Sequence, residues 1–346
     1  MSQSEAAEFA DLAATFDRVK VRNERDYAIT ASTGIDEGRY VEIGGIEQWI
    51  TIRGEDRNNP VVLFLYGGPG DATNPWGYAA FPSWLDRFTV VQWDQRGAAR
   101  TLARNGPASA DSLSLERMVQ DGVELAEYLR EHLDKDKLIL VGHSFGSILG
   151  VKMAKARPEL FSVYVGTAQV ADPQGNYAAA YDALLAKARS ERNLRAIAEL
   201  EDIGPPPYPD GRGFGVQRRW SNSFEGADRF IASMLGLALG APGYSIGDIN
   251  DWLEGQQLSA EKLIPQTFEI DADELGGEFA LPVLVIQGEE DFTTPTSLAR
   301  SFISSIQAPQ KGFVSIDGGG HFAVFVESDA FLDALVEHVL PLTSPR

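Results

Sequence analysis

The chain contains no cysteine. Disulfide staples, thiol nucleophiles and cysteine metal sites are therefore excluded in any compartment. Histidine is scarce as well, with four in 346 residues, so a reaction that needs an imidazole has few places to find one. Basic residues are outnumbered, 30 Lys and Arg against 50 Asp and Glu, giving a formal charge of −20 and a pI near 4.6. Such a surface repels nucleic acid and anionic membranes and mildly favours a cationic substrate. No stretch reaches the roughly 18 apolar residues that a bilayer span requires. The N-terminal segment MSQSEAAEFADLAATFDRVK has neither an apolar core nor a basic leader, which does not read as a signal peptide, and the expected location is the cytoplasm. Phosphate cradles are missing too: no G-x-G-x-x-G follows VVLFLY, and no G-x-x-x-x-G-K-[ST] occurs. Neither a cofactor nor a metal is expected.

What the sequence does contain is alternation. Apolar runs at 61–66, 88–93, 137–142, 161–166, 282–288 and 312–318 are separated by helical patterns. In one of these, Leu115, Met118, Val119, Gly122, Ala126, Leu129 and Leu133 mark one helix face. Strands rich in Val, Ile and Leu that alternate with helices predict an α/β fold, a mostly parallel sheet covered on both faces. RYVEIGG and IEQWITIRG meet at Gly44-Gly45 and predict an antiparallel hairpin at one edge. Phe9, Leu12 and Phe16 predict a short helix within an N-terminal extension of about 1–37. Between 172 and 265 the alternation stops; helical stretches surround the stiff loop 204–209, and a mostly helical cap is expected there. The core is then residues 1–171 and 266–346.

The segment Gly142-His143-Ser144-Phe145-Gly146 follows KLILV and precedes SILGVKMAKA, which is G-x-S-x-G in a strand–turn–helix setting. A serine there sits on a sharp, strained elbow, and small flanking residues let strand and helix approach. Ser144 is the candidate nucleophile. It needs a base, and three of the histidines fit poorly. His132 and His338 lie on helix flanks and read as solvated; His143 occupies the variable elbow position and points away. His321 remains, ending Gly318-Gly319-Gly320 just after an apolar run. The third member should orient the imidazole and stabilise its charged form. Asp291 is favoured because Ser144, Asp291 and His321 follow the chain order of this architecture, with Glu289 and Glu290 as alternatives. An attacked acyl carbon places negative charge on oxygen, which two backbone N–H groups must hold. Phe145 supplies one. The glycine turn Gly67-Gly68-Pro69-Gly70 supplies the other, with Gly68 as the expected donor, and each is worth about 3 kcal/mol in the transition state.

Together these motifs resemble the α/β-hydrolase fold and, within it, the proline iminopeptidase family. That family's HGGPG loop is matched by Tyr66 to Gly70 and its D-Q-R-G turn by Asp94-Gln95-Arg96-Gly97. Read on its own, that second turn is a structural brace. Trp220-Ser221-Asn222-Ser223-Phe224-Glu225-Gly226 resembles the family's W-S-x-W-E-G stretch, with one residue inserted. The resemblance implies release of an N-terminal residue, often proline, from short peptides, with Glu225 anchoring the substrate amine and Trp220 and Tyr66 near the substrate. Three departures bear on the substrate: Tyr66 stands where the family has His, the elbow is GHSFG rather than GGSWG, and Ala98-Ala99 follow the D-Q-R-G turn where Gly is usual at the second place. The expected function is a serine hydrolase with a catalytic triad, an aminopeptidase acting on a small molecule or short peptide. The alternatives are an esterase, lactonase or amidase for an uncharged acyl group, and a receptor that keeps the fold without the reaction. Serine at 144 argues against epoxide or dehalogenase chemistry, which would want Asp there.

Overall fold

Runs of branched aliphatic residues make strands only where both faces can be buried, and here most of them are. The computed structural model describes residues 3–208 and 211–343, with the backbone alone for 3–13 and 211. Its strands are β1 (Ile35–Ile43), β2 (Ile46–Gly54), β3 (Val61–Leu65), β4 (Thr89–Asp94), β5 (Leu138–His143), β6 (Phe161–Thr167), β7 (Val283–Gly288) and β8 (Lys311–Ile316). They form one sheet in the order β1-β2-β4-β3-β5-β6-β7-β8. β1 and β2 are the predicted hairpin, and β2 also pairs antiparallel with β4. The remaining pairs are parallel. Every residue of β3, β4, β5 and β7 is buried, whereas the edge strand β8 is partly exposed.

Parallel strands end on the same edge of the sheet, so the loops leaving β3, β5, β7 and β8 converge there. β3 and β5 are adjacent, with Leu65 opposite Gly142, and β7 and β8 are adjacent, with Gly288 opposite Ile316. The predicted helix Leu115–Leu133 begins at Ser114, whose hydroxyl accepts from the Arg117 N–H at 3.1 Å. Its buried stripe packs against the helix Phe145–Ala156, where Gly122 leaves room for Met153.

Between β6 and β7 run the helices Asn176–Ser190, Leu194–Ile203, Gly211–Phe224, Asp228–Leu239 and Ile246–Thr267. Pro209 of the stiff loop lies outside the described residues. The N-terminal helix is longer than expected, Gln3–Asp26. The Phe9 and Leu12 side chains lie outside the described residues, but Phe16 lines a small cavity together with Ala238 and Ile249. Asn23 Nδ2 donates to Tyr78 Oη and to the Gly240 carbonyl, each at 2.9 Å, tying this helix to a core loop and to the end of Asp228–Leu239. Among the described residues no helix is long and apolar enough to cross a membrane.

The turn after β4 is a brace. Arg96 grips the buried Asp121 with two bonds, Nε to Oδ2 at 2.7 Å and Nη2 to Oδ1 at 3.1 Å. It also donates to the Gly44 carbonyl at 2.9 Å, so hairpin, turn and helix are locked together. Asp94 accepts from Asn74 Nδ2 at 2.7 Å and from the Arg100 N–H at 3.1 Å. Removing the guanidinium would leave Asp121 a buried charge, with Arg117 as its remaining cation. Arg96→Ala is expected to cost about 3 kcal/mol. Urea unfolding at neutral pH measures it, and an unchanged midpoint would contradict the brace.

Candidate active site

β5 turns into the helix Phe145–Ala156 in a single residue. Ser144 takes φ 54° and ψ −125°, a conformation that side chains rarely adopt. The turn can be this tight because its neighbours are glycines. A Cβ on Gly142 would lie 2.7 Å from the Gly146 carbonyl oxygen, and one on Gly146 would overlap the carbonyl of Leu65. The Ser144 N–H donates to Thr167 O at 3.1 Å, and the Ser147 N–H and hydroxyl donate to Ser144 O at 2.8 and 2.6 Å. The hydroxyl is thereby held out beyond the sheet edge.

His321 comes from the short turn Gly320–Phe322 after β8. Its Nε2 is 3.1 Å from Ser144 Oγ, and its Nδ1 is 3.2 and 3.3 Å from the two carboxylate oxygens of Asp291. Both His321 and Asp291 are buried. Asp291 Oδ1 accepts from the N–H groups of Thr293 and Thr294 at 2.9 and 2.7 Å, and Oδ2 from the Thr294 hydroxyl at 2.7 Å. Burial pushes the Asp291 carboxyl up, and these donors oppose the rise. Burial pulls His321 well below its ordinary value, with the charge of Arg218 acting in the same direction. The alternatives to Asp291 are spent at the surface, Glu289 on Arg300 at 2.8 Å and Glu290 on Lys187 at 2.6 Å. The other histidines are also elsewhere: His132 pairs with Glu37, His338 lies beside Glu337, and His143 Nε2 donates to the His321 carbonyl at 2.9 Å.

In front of Ser144 is a cavity of about 430 Å³. Gly68 and Phe145 both line it, as the two amides for an oxyanion require. The Phe145 N–H opens its helix and has no carbonyl a turn behind it, and no described residue accepts from the Gly68 N–H. The turn that carries Gly68 is pinned from above by the helix Ile246–Thr267. Asp71 accepts from Trp252 Nε1 at 2.7 Å and from Gln256 Nε2 at 3.1 Å. A Cβ on Gly70 would overlap Ser259, and one on Gly255 would lie 2.9 Å from the Gly97 carbonyl oxygen.

The three positions implied by resemblance stand behind the cavity wall. Trp220 is buried in the cap and donates from Nε1 to Glu199 at 3.0 Å. Tyr66 stacks on His143 with ring centroids 5.1 Å apart. Glu225 Oε1 accepts from the N–H groups of Phe292 and Thr293 at 2.8 and 3.1 Å, and Oε2 from the His321 N–H at 3.1 Å. Burial, then the nearby Asp291, pushes the Glu225 carboxyl up. It sits directly behind Thr293, whose hydroxyl donates to it at 3.3 Å and which does line the cavity. Sequence reasoning passed over Thr293 and Thr294, although hydroxyl residues two and three positions after an aspartate are the signature of a local turn that feeds its carboxylate. It also passed over Arg218, the charged residue of the wall.

The chemistry this arrangement allows is proton transfer from Ser144 to His321, with Asp291 holding the ring. A family model described as the alpha/beta hydrolase fold matches residues 60–328. A probable aminopeptidase of Bacillus subtilis, YbaC, is 28% identical over 304 residues, covering 86% of this chain and 94% of that protein. A probable proline iminopeptidase of Streptomyces coelicolor is 32% identical over 158 residues, 46% of each chain. Among solved structures, a proline iminopeptidase-related protein of Thermus thermophilus aligns with a TM-score of 0.64 at 19% identity, covering 89% of this chain and 99% of that one. An esterase of Thermogutta terrifontis aligns at 0.58 and 19% identity, covering 89% of this chain and 100% of that one. At such identities the two structures speak for the fold.

A fluorophosphonate probe tests this proton transfer without a substrate: if His321 takes the Ser144 proton, labelling requires a neutral ring. An imidazole held well below 6.5 stays neutral as the pH falls. The acid limb of the labelling rate is therefore expected below pH 6.5, and His321→Ala should slow labelling about 100-fold or more. A limb above pH 6.5 would contradict the described environment.

Proposed function

Because the chain belongs to the α/β-hydrolase fold family, we propose that it is a serine hydrolase working through an acyl-enzyme. Its proposed substrates are short peptides, from which it releases the N-terminal residue, proline or one similar. The observation that carries the reading is the unbroken relay from Ser144 Oγ through the His321 ring to Asp291, in front of a cavity flanked by two amides. His321 Nε2 takes the hydroxyl proton as Ser144 attacks the acyl carbon, and the Gly68 and Phe145 N–H groups hold the oxyanion. Asp291 stabilises the imidazolium that forms. His321 then gives its proton to the leaving amine, and a water, deprotonated by the same ring, releases the acid from Ser144.

The peptide substrate is supported by the name of the Bacillus subtilis relative, which aligns over 86% of this chain. Glu225 acts on the substrate's free amine through Thr293, whose hydroxyl donates to Glu225 at 3.3 Å and lines the cavity, where its oxygen accepts from the amine. A second reading, an esterase or lactonase for an uncharged acyl group, draws on the wall itself. That wall is built largely from residues such as Phe145, Ile148, Val170 and Phe214, with no carboxylate among the described residues.

Hydrolysis of proline-anilide, its N-blocked form and a short-chain p-nitrophenyl ester separates the two. The aminopeptidase is expected to cleave the free anilide and not the blocked one, and Ser144→Ala to lose about 10⁶-fold in rate. Turnover of the ester alone would overturn the peptide reading and leave the esterase.

A further inference from the structure

The helix Gly211–Phe224 carries three arginines that do not behave alike. Arg212 pairs with Asp202, and Arg219 pairs with Glu199 at 2.5 Å. Arg218 has no hydrogen bond or ion pair among the described residues, although acids outnumber bases 50 to 30 in this chain. Helical spacing places it with Phe214 and Ser221 on the face that lines the cavity. It is the one charged side chain of that wall among the described residues. Its charge reaches the reacting groups, favouring ionised Asp291 and Glu225 and opposing a proton on His321.

A guanidinium is a planar fork whose natural partner is a carboxylate. No described residue provides one in the cavity, and Arg218 is exposed there, so its fork is open to a carboxylate that arrives with the ligand. The geometry of the helix adds a length. Glu225 follows Arg218 by seven residues and continues the same helical path, its N–H donating to Ser221 O at 2.9 Å. Seven residues rise about 10 Å along a helix axis. Glu225 stands at the reacting end, bonded to the His321 N–H, and Arg218 stands two turns away. An extended dipeptide separates its charged ends by about 7 Å and a tripeptide by about 10 Å.

We propose that Arg218 binds the free C-terminal carboxylate of the substrate, so that the hydrolase is selective for di- and tripeptides held by both termini. The carboxylate belongs to the leaving group, which carries it away from Arg218 when the amine departs. This proposal rests on the aminopeptidase reading.

The test compares kcat/KM for the dipeptide Pro-Ala, its C-terminal amide Pro-Ala-NH2 and proline-anilide. In the native protein the acid is expected to exceed the amide by about 10- to 100-fold, the worth of one charge-assisted bond. Arg218→Ala should bring that ratio to about one, and Arg218→Lys, which keeps the charge and loses the fork, should restore part of it. Equal rates for acid and amide in the native protein, or a ratio that survives Arg218→Ala, would overturn the proposal. If the native protein cleaves none of the three while a fluorophosphonate still labels Ser144, the aminopeptidase reading falls and takes this one with it. Anilide turnover without acid–amide discrimination overturns the carboxylate site alone.

Discussion

The site depends on one backbone conformation, Ser144 at φ 54° and ψ −125°. Residues held this way cost of order 1–3 kcal/mol, and they persist only where the surroundings leave no alternative. Here a buried strand enters the turn, a buried helix leaves it, and Thr167 O and Ser147 bond its N–H and carbonyl. Relaxing the serine would mean moving β5 or its helix, both of which belong to the core. The strain is therefore maintained by packing far larger than itself, and it is what keeps the hydroxyl clear of the sheet.

The acids beside the hydroxyl are held differently from the acid that holds the fold. Asp121 is met by guanidinium groups. Asp291 and Glu225 are met by backbone N–H groups, and the short segment 292–294 supplies both: Phe292 and Thr293 to Glu225, Thr293 and Thr294 to Asp291. Amide dipoles fix a carboxylate in place without cancelling its charge, which leaves Asp291 able to support an imidazolium. A lysine or arginine bonded to Asp291 would have fixed it equally well and silenced it.

The strands were legible because fully buried parallel strands must be unbroken apolar runs, and the segments around β3, β5 and β7 are such runs. Ser144 and His321 were legible because few residues of the right type stood at strand ends. Asp291 was less so. Glu289 and Glu290 are its neighbours, and local sequence does not say which carboxylate turns inward; Arg300, on the next helix, and Lys187, distant in the chain, pair with the other two. The cap was the least legible part. Resemblance drew attention to Trp220 and Glu225, whereas the face of that helix lining the cavity is Phe214, Arg218 and Ser221. A periodic pattern shows that a helix has faces. Which face looks down on the core is set by packing between helices distant in sequence.

The helix Ile246–Thr267 belongs to the inserted segment by its place in the chain, yet by contact it is part of the site's foundation. Gly255 and Ser259, one turn apart, let its backbone rest on two glycine turns of the core, while Trp252 and Gln256 hold Asp71. The cap is thus not an interchangeable accessory. A different cap grafted onto this sheet would have to bring its own pair of small residues at that crossing. Otherwise it would displace the very loop that positions Gly68, and the graft would change reactivity along with specificity. On the proposed function, substrate range and catalytic competence would be inherited together, through a helix that contributes no reacting group.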